Sequence, residues 1–345
     1  MKIIFFNPYA DNSDMKGAAR RIMFLSMILT RENIAFQAIL KPDYEKINHS
    51  IFDRFLLAIG LRRLAYFLFA LKCCRDKENI IISEVIFAPV WLPNFILTIH
   101  DLKAFDMIAA RGGQLRNWAY SLFPRLASRI IVVTESVKSD LMKFCNVDPN
   151  RVFVVPNGID DRRLKIALST KNISKVYDFV YVSSFVKHKR HSLLIKAAPI
   201  GAKILLIGRD MGSLEEINKE IMLRRNEITV HVLLDVDTDE DLFNKIASAK
   251  CGIFPSSFEG FGIPLLEYAA CGLYVIASNI PPFVELKHYV NEFFQVDNIT
   301  ELKAVMANFF DHEMNVPRSD STNLVVNGAH TEAAITNEFL ILLNK

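Results

Sequence analysis

Residues 251–278 read CGIFPSSFEGFGIPLLEYAACGLYVIAS. Two apolar runs, CGIF at 251–254 and LYVIAS at 273–278, enclose a glycine-bearing loop and a segment of helical length, so the pattern is strand, loop, helix, strand. Pro264 suits the first helical turn, where no backbone N–H is needed, and Gly272 suits a left-handed position just past the helix end. Gly260 and Gly262 free the loop to turn backbone N–H groups toward an anion at the helix N-terminus, where the macrodipole favours negative charge. Glu259 in the loop and Glu267, expected in the first helical turn, set two carboxylates within reach of a ligand held at that end. Carboxylates receive sugar hydroxyls, and a diphosphate fits the amides. A plainer reading stands beside this one: glycine and proline open many helices, and an acid in the first turn is favourable on dipole grounds alone.

Outward from this stretch, KIIFF, NFILTI, RIIVVT, RVFVVP, FVYVSS, AKILLIG and EITVHVLL repeat the short apolar run, separated by helical patterns such as residues 17–31. Uninterrupted apolar strands alternating with helices indicate parallel sheets covered on both faces. The fold expected is α/β and doubly wound. The 345 residues exceed what one core holds. A turn signal at Asn157 and Gly158, then a polar stretch to Lys175, puts the boundary between those positions. The expected division is an N-terminal domain over 1–168, a C-terminal domain over 169–325 and a helix over 326–345, capped by Thr331, that crosses back to the first domain.

Composition narrows the partners. A formal net charge of +3, from 41 basic and 38 acidic residues, is too small an excess for a dedicated nucleic-acid surface. The five cysteines are scattered, without CxxC spacing, and read as reduced, buried thiols. The opening MKIIFF is too short for a signal-peptide core and reads as a first strand. Residues 51–74, IFDRFLLAIGLRRLAYFLFALKCC, contain no apolar run long enough to span a bilayer. They could rest on a membrane surface through Arg62, Arg63 and Lys72, a reading weighed against ordinary packing. The expected location is cytoplasmic, with or without such peripheral contact at the inner face of the membrane.

In open parallel sheets, ligands bind beyond the carboxyl ends of the strands. His100 and Asp101 follow NFILTI, Lys187 to Arg190 follow FVYVSS, and Glu259 follows CGIF. A cleft between two such sheets would gather these groups from both sides.

With these pieces in order, the chain resembles glycosyltransferase family 4, the retaining, nucleotide-sugar-dependent enzymes of GT-B architecture. The resemblance runs through TIHDL (98–102), RIIVVTESVKSDL (129–141), VVPNGID (154–160) and the lysine after VYVSS to FPSSFEGFGIPLLEYAACGLYVIAS (254–278), whose glutamates match the family's E-x7-E motif. It implies two Rossmann-like domains facing across a cleft. It implies catalytic roles for His100, Glu259 and Lys189, with the histidine facing the reacting sugar, Glu259 on its hydroxyls and the lysine on the diphosphate. Donor contacts fall to Glu267 on the ribose, to the amides of Phe261, Gly262 and Ile263, and to Leu266, Lys187 and Ser184. Gly17 and Asp101 belong to the acceptor side or its loop. The donor is a nucleotide diphosphate sugar and the acceptor a carbohydrate or lipid-linked hydroxyl, in cell-surface polysaccharide or glycolipid assembly; no cofactor and no metal are expected.

Three departures qualify the match. Ser183 and Ser184, followed after Phe185 by VKHKRH, stand where the family usually has a glycine and an arginine, leaving Lys187 or Arg190 to substitute. The segment NPYADNSDMKGAARR is poorer in glycine than the family's loop, with Gly17 alone. Tyr274 replaces a common proline. Asp235 and Asp237 take the form of a metal-binding DxD, but Thr238 followed by Asp239, Glu240 and Asp241 reads as a cap and acidic first turn. Rival functions are a sugar-nucleotide epimerase of the same architecture and a catalytically silent nucleotide-sugar-binding module; a nicotinamide dehydrogenase is disfavoured because no GxGxxG follows any strand.

Overall fold

A computed structural model of the chain describes residues 1–8, 17–46, 54, 56–57, 61–86, 88–102, 121–312, 325–326 and 328–344. Most of the loop before Gly17, and residues 51–53, 55 and 58–60 of the stretch considered for membrane contact, lie outside this set. The chain divides into two compact units, one formed by Met1–Asn157 with Thr336–Lys345 and the other by Gly158–Ile335. The division falls eleven residues before the end of the N-terminal domain expected at 168, because Ile159 already joins the second unit, where it bridges to Thr331.

The first unit is built on β1 (Lys2–Asn7), β2 (Phe36–Leu40), β3 (Asn79–Ser83), β4 (Phe95–Ile99), β5 (Arg129–Val132) and β6 (Val152–Val154), in the order β2-β1-β3-β4-β5-β6. Every pairing is parallel. β4, FILTI, is buried at all five positions, the signature of a strand covered on both faces. Helices α1 (Gly17–Arg31), α2 (Lys41–Lys46), α3 (Arg62–Cys74) and α4 (Glu135–Cys145) accompany these strands. Thr134 caps α4 by accepting from Val137 N, and Asn146 ends it in the left-handed conformation that asparagine tolerates.

The second unit carries β7 (Tyr177–Val182), β8 (Lys203–Ile207), β9 (Thr229–Leu233), β10 (Ala249–Phe254), β11 (Tyr274–Ser278) and β12 (Glu292–Phe294), in the order β12-β11-β10-β7-β8-β9, again all parallel. Its helices are α5 (Asp161–Ser169), α6 (His191–Ala197), α7 (Leu214–Leu223), α8 (Asp239–Ala247), α9 (Ile263–Ala270), α10 (Pro281–Glu285) and α11 (Ile299–His312); α12 (Glu332–Leu343) closes the chain. Thr238 caps α8 by accepting from Asp241 N at 3.0 Å, and Asp239, Glu240 and Asp241 form its acidic first turn. Thr331 Oγ1 likewise accepts from Ala334 N at the start of α12.

The strand order fixes where chemistry can sit. In each sheet the order in which successive strands are added reverses once, between β1 and β3 in the first and between β7 and β10 in the second. Loops leaving the carboxyl ends at such a switch point diverge to opposite faces and leave a crevice for a ligand.

One backbone detail seats α9 against the second sheet. Gly252, inside β10, lies under the ring of Tyr268, and a Cβ there would stand 2.3 Å from Tyr268 Cδ2. The missing side chain lets the ring lie flat on the strand, and the Tyr268 hydroxyl accepts from Val182 N of β7 at 2.8 Å. Burial raises the pKa of that phenol well above its usual value.

Candidate functional site

At the switch point of the second unit, β7 leads into Ser183, Ser184 and a single helical turn at Lys187–Lys189, while β10 leads into the loop of residues 255–262. The loops are tied together: Ser257 N donates to His188 O at 2.9 Å. Across this contact Lys189 Nζ forms an ion pair with Glu259 Oε1, with side-chain exposures of 15% and 11%. Ser256 Oγ donates to the same carboxylate oxygen at 2.6 Å, and Lys189 Nζ stands 5.6 Å from the centroid of Phe254. Tyr181 donates to Lys189 O at 3.0 Å. Burial, with the charge of Glu259 adding to it, raises the Tyr181 pKa well above that of an ordinary phenol, so it stays a donor. His191, behind this turn, is stacked on Tyr181 and bonded to Ser183 Oγ at 3.1 Å. Burial, then the charges of Lys189 and His188, lower its pKa to about 3, so the ring is neutral and structural.

Gly262 is the N-cap of α9 with φ 114°, and no side chain caps the helix. Any L side chain there would be strained, and its Cβ would meet Phe283 at 2.7 Å. The positive end of the α9 dipole is therefore not neutralised by a capping acid. Pro264 sits in the first turn and Gly272 follows the helix at φ 68°.

Glu267 corrects the reading from sequence. It is the fifth residue of α9, in the second turn rather than the first, and is fully buried. Its Oε1 accepts from Arg163 Nη2 at 2.8 Å, and Arg163 Nε donates to Asp239 Oδ1 at 3.0 Å. Arg162 also pairs with Asp239. Burial works to lower the Arg163 pKa, but the charges of Glu267 and Asp239 outweigh it and raise the guanidinium above its ordinary value. Arg163 was missed from sequence because it stands 104 positions from Glu267. A signal existed: two arginines in the first turn of α5, where the macrodipole disfavours cations, call for a partner elsewhere.

The other donor candidates separate by placement. Phe261 is buried, its ring edge-on to His330, and Ile263 opens α9. Leu266 is fully buried and packs in the core. Ser184 lies just past β7. Arg190, in the left-handed region at φ 58°, gives its guanidinium to Asp297 in a two-point bond, Nε to Oδ1 at 2.6 Å and Nη2 to Oδ2 at 2.8 Å. With Lys187, Ser192, Lys196 and Glu216 it lines a cavity of about 230 Å³. Neither Lys189 nor Glu259 lines that cavity.

The first unit brings a second set together at its own switch point. His100 follows β4, and its Nε2 lies 2.6 Å from Glu84 Oε1; Glu84 follows β3, and its Oε2 accepts from Asn7 Nδ2 at the end of β1, 2.8 Å away. The carboxylate in contact with His100 is that of Glu84, 16 positions earlier in the chain. Asp101 is exposed, and Gly17 is the first residue of α1. Arg21, on α1, is buried and donates to Asn157 Oδ1 at 2.7 Å and Val155 O at 2.8 Å. Burial lowers its pKa to about 10, against the opposing pull of Glu84.

Comparison with known proteins agrees with the two-unit architecture. Residues 83–163 match the family described as Glycosyltransferase Family 4, and residues 166–323 match Glycosyl transferases group 1. The O-antigen chain mannosyltransferase RfbU of Salmonella typhimurium is 26% identical over 208 residues, 56% of this chain and 55% of that protein. The chain thus spans about half the length of this curated relative. Among solved structures, Anabaena Alr3699/HepE in complex with UDP and glucose superposes with a TM-score of 0.71 at 15% identity, covering 100% of this chain and 99% of that one. Sucrose-phosphate synthase from Thermosynechococcus elongatus gives 0.72 at 16% identity, with 99% and 98% covered. At these identities the superpositions establish the fold, GT-B with two doubly wound units.

Proposed function

The chain belongs to glycosyltransferase family 4, and we propose that it transfers a sugar from a nucleotide diphosphate sugar to a hydroxyl acceptor with retention of anomeric configuration. The acceptor is a carbohydrate or a lipid-linked glycan, in the assembly of a cell-surface polysaccharide or glycolipid. One observation carries the reading: Lys189 and Glu259, 70 positions apart, form an ion pair at the carboxyl ends of adjacent strands, beside the uncapped N-terminus of α9.

In this proposal the diphosphate replaces Glu259 as the partner of Lys189 and takes the α9 amides at Gly262 and Ile263. Neutralising the charge that develops on a departing nucleoside diphosphate stabilises the transition state directly, so the protonated carboxyl of a glycosidase is not required. Glu259, released from Lys189 but still held by Ser256, accepts hydroxyls of the donor sugar. Glu267 holds the ribose, with Arg163 fixing its carboxylate. His100 faces the reacting sugar. The residues invoked supply their own positive charge, so transfer is proposed to be independent of metal. Support for the setting comes from the Salmonella relative, an O-antigen chain mannosyltransferase.

The reading is tested by a thermal-shift screen against nucleotide sugars, since a ligand of the native state raises the melting temperature by mass action. One nucleotide sugar is expected to do so, and Lys189→Ala to abolish the shift and lower transfer by roughly 100-fold or more. Unchanged transfer in both Lys189→Ala and Glu267→Ala would overturn the site assignment. Peripheral membrane contact through residues 51–74 is proposed alongside: among the described residues no helix is long and apolar enough to cross a membrane, but Leu64 and Trp91 are exposed and Phe67 packs on Trp91. Flotation with anionic liposomes at low salt is the expected result, and its absence would remove the proposal.

A further inference from the structure

We propose that Glu84 is a positioning residue for His100, fixing both the direction of its ring and the nitrogen the ring can offer to a sugar. The inference rests on the glycosyl-transfer reading above and deepens it.

Three adjacent strands build the arrangement. Asn7 ends β1, Glu84 follows β3 and His100 follows β4, and these strands are neighbours in the order β1-β3-β4. The carboxylate of Glu84 is divided between its neighbours, one oxygen accepting from Asn7 Nδ2 at 2.8 Å and the other meeting His100 Nε2 at 2.6 Å. An ionised carboxylate can only accept, so Nε2 carries the proton and is committed to Glu84. Nδ1 is then the nitrogen left to the ligand. In the neutral ring it is a lone pair that accepts from a sugar hydroxyl, and in the charged ring it is a donor.

Glu84 is itself immobilised. Ser83 Oγ donates to Phe6 O at 2.6 Å and accepts from Val85 N at 3.1 Å, pinning the backbone on both sides of it. Asn7 is 4% exposed, and the Glu84 and His100 side chains are 22% and 27% exposed. Arg21, held by Asn157 and Val155, places a fixed positive charge close enough to interact with Glu84. A histidine on a mobile surface acid would sample both tautomers. Here the acid is fastened to a strand on either side, so the ring is fastened too, as a carboxylate behind a working imidazole does in general.

The test reads the ring directly. In full-length protein labelled at histidine nitrogens, the His100 signals are assigned by their loss in His100→Gln. Wild type is expected to show the Nε2-protonated pattern, and Glu84→Ala a mixture of tautomers. With the donor found by the thermal-shift screen, Glu84→Ala is expected to lower kcat on the order of tenfold or more while leaving the donor KM within about threefold, and Glu84→Asp to recover part of the loss. Unaltered ring signals, or an unaltered kcat, in Glu84→Ala would overturn the positioning role alone. An unaltered kcat in His100→Gln would overturn the role given to His100 in the proposed function, and this inference with it.

Discussion

In the second unit each candidate acid is matched with a cation, Glu259 with Lys189 and Glu267 with Arg163; in the first unit the corresponding acid, Glu84, is matched with a histidine and an amide. Burial explains the difference. Glu267 is fully buried and Asp239 nearly so, and a carboxylate removed from water needs a counter-charge with good hydrogen bonds or it does not stay ionised. Glu84 keeps part of its surface in solvent, so a neutral ring and an amide suffice. The same topological position thus yields a charge-balanced, buried cluster in one unit and a more open one built on a histidine and an amide in the other.

The contrast is broken most severely at Arg163. Arg163→Met removes the guanidinium that holds Glu267 and one of the two that pair with Asp239, and a loss of about 3–5 kcal/mol of stability is expected from denaturant unfolding. A loss below about 1 kcal/mol would show that the cluster is not the load it is taken to be. Next, Gly252→Ala drives a methyl group into the Tyr268 ring, and overpacking of this kind costs about 1–3 kcal/mol. A melting temperature equal to wild type would contradict the close seat of α9.

Acid sharpens the comparison from another side. The pKa of His191 is lowered to about 3 and that of His330 to about 4, both by burial first, from an ordinary 6.5. Below pH 6.5 the unfolded chain takes up these protons and the folded one does not, so stability falls as pH drops from about 6.5 toward 4 and is full above that window. A loss on the order of 2 kcal/mol between pH 6.5 and 4.5 is expected for the His191 group alone. Thermal unfolding of His191→Gln across this range should show a shallower decline than wild type; an identical slope would discard the account. The smallest effect belongs to Glu84→Gln. Its stability should stay within about 1 kcal/mol of wild type, since a partly exposed pair contributes little, even where kcat falls.

Much of this architecture was legible in the chain, and the omissions have physical causes. Strands such as FILTI, buried at all five positions, and KILLI, buried at four of five, announce themselves by dense apolar runs. FQAIL, at the sheet edge, is exposed over its first two residues, and EFF spans only three, so neither rises above its surroundings. NIIIS has only three apolar residues before Ser83 and Glu84 interrupt the run, so neither the strand nor Glu84 at its exit stands out, although four of its five residues are buried. Within the site, Gly262, Pro264 and Gly272 could be placed because their conformational demands are local. The partners of Glu267 could not, because a contact between α5 and α9 leaves no periodic trace in sequence.

The hydroxyl of Tyr268 has a consequence for how the second unit can vary. Tyr268 follows Glu267 on α9, and it is bolted to Val182 on the strand whose exit delivers Lys189. The height of α9 above the sheet is thus set by a brace outside the 255–262 loop. Under the proposed function, residues at the outer bend of that loop, which would meet the donor sugar, can therefore vary while the mount beneath stays put.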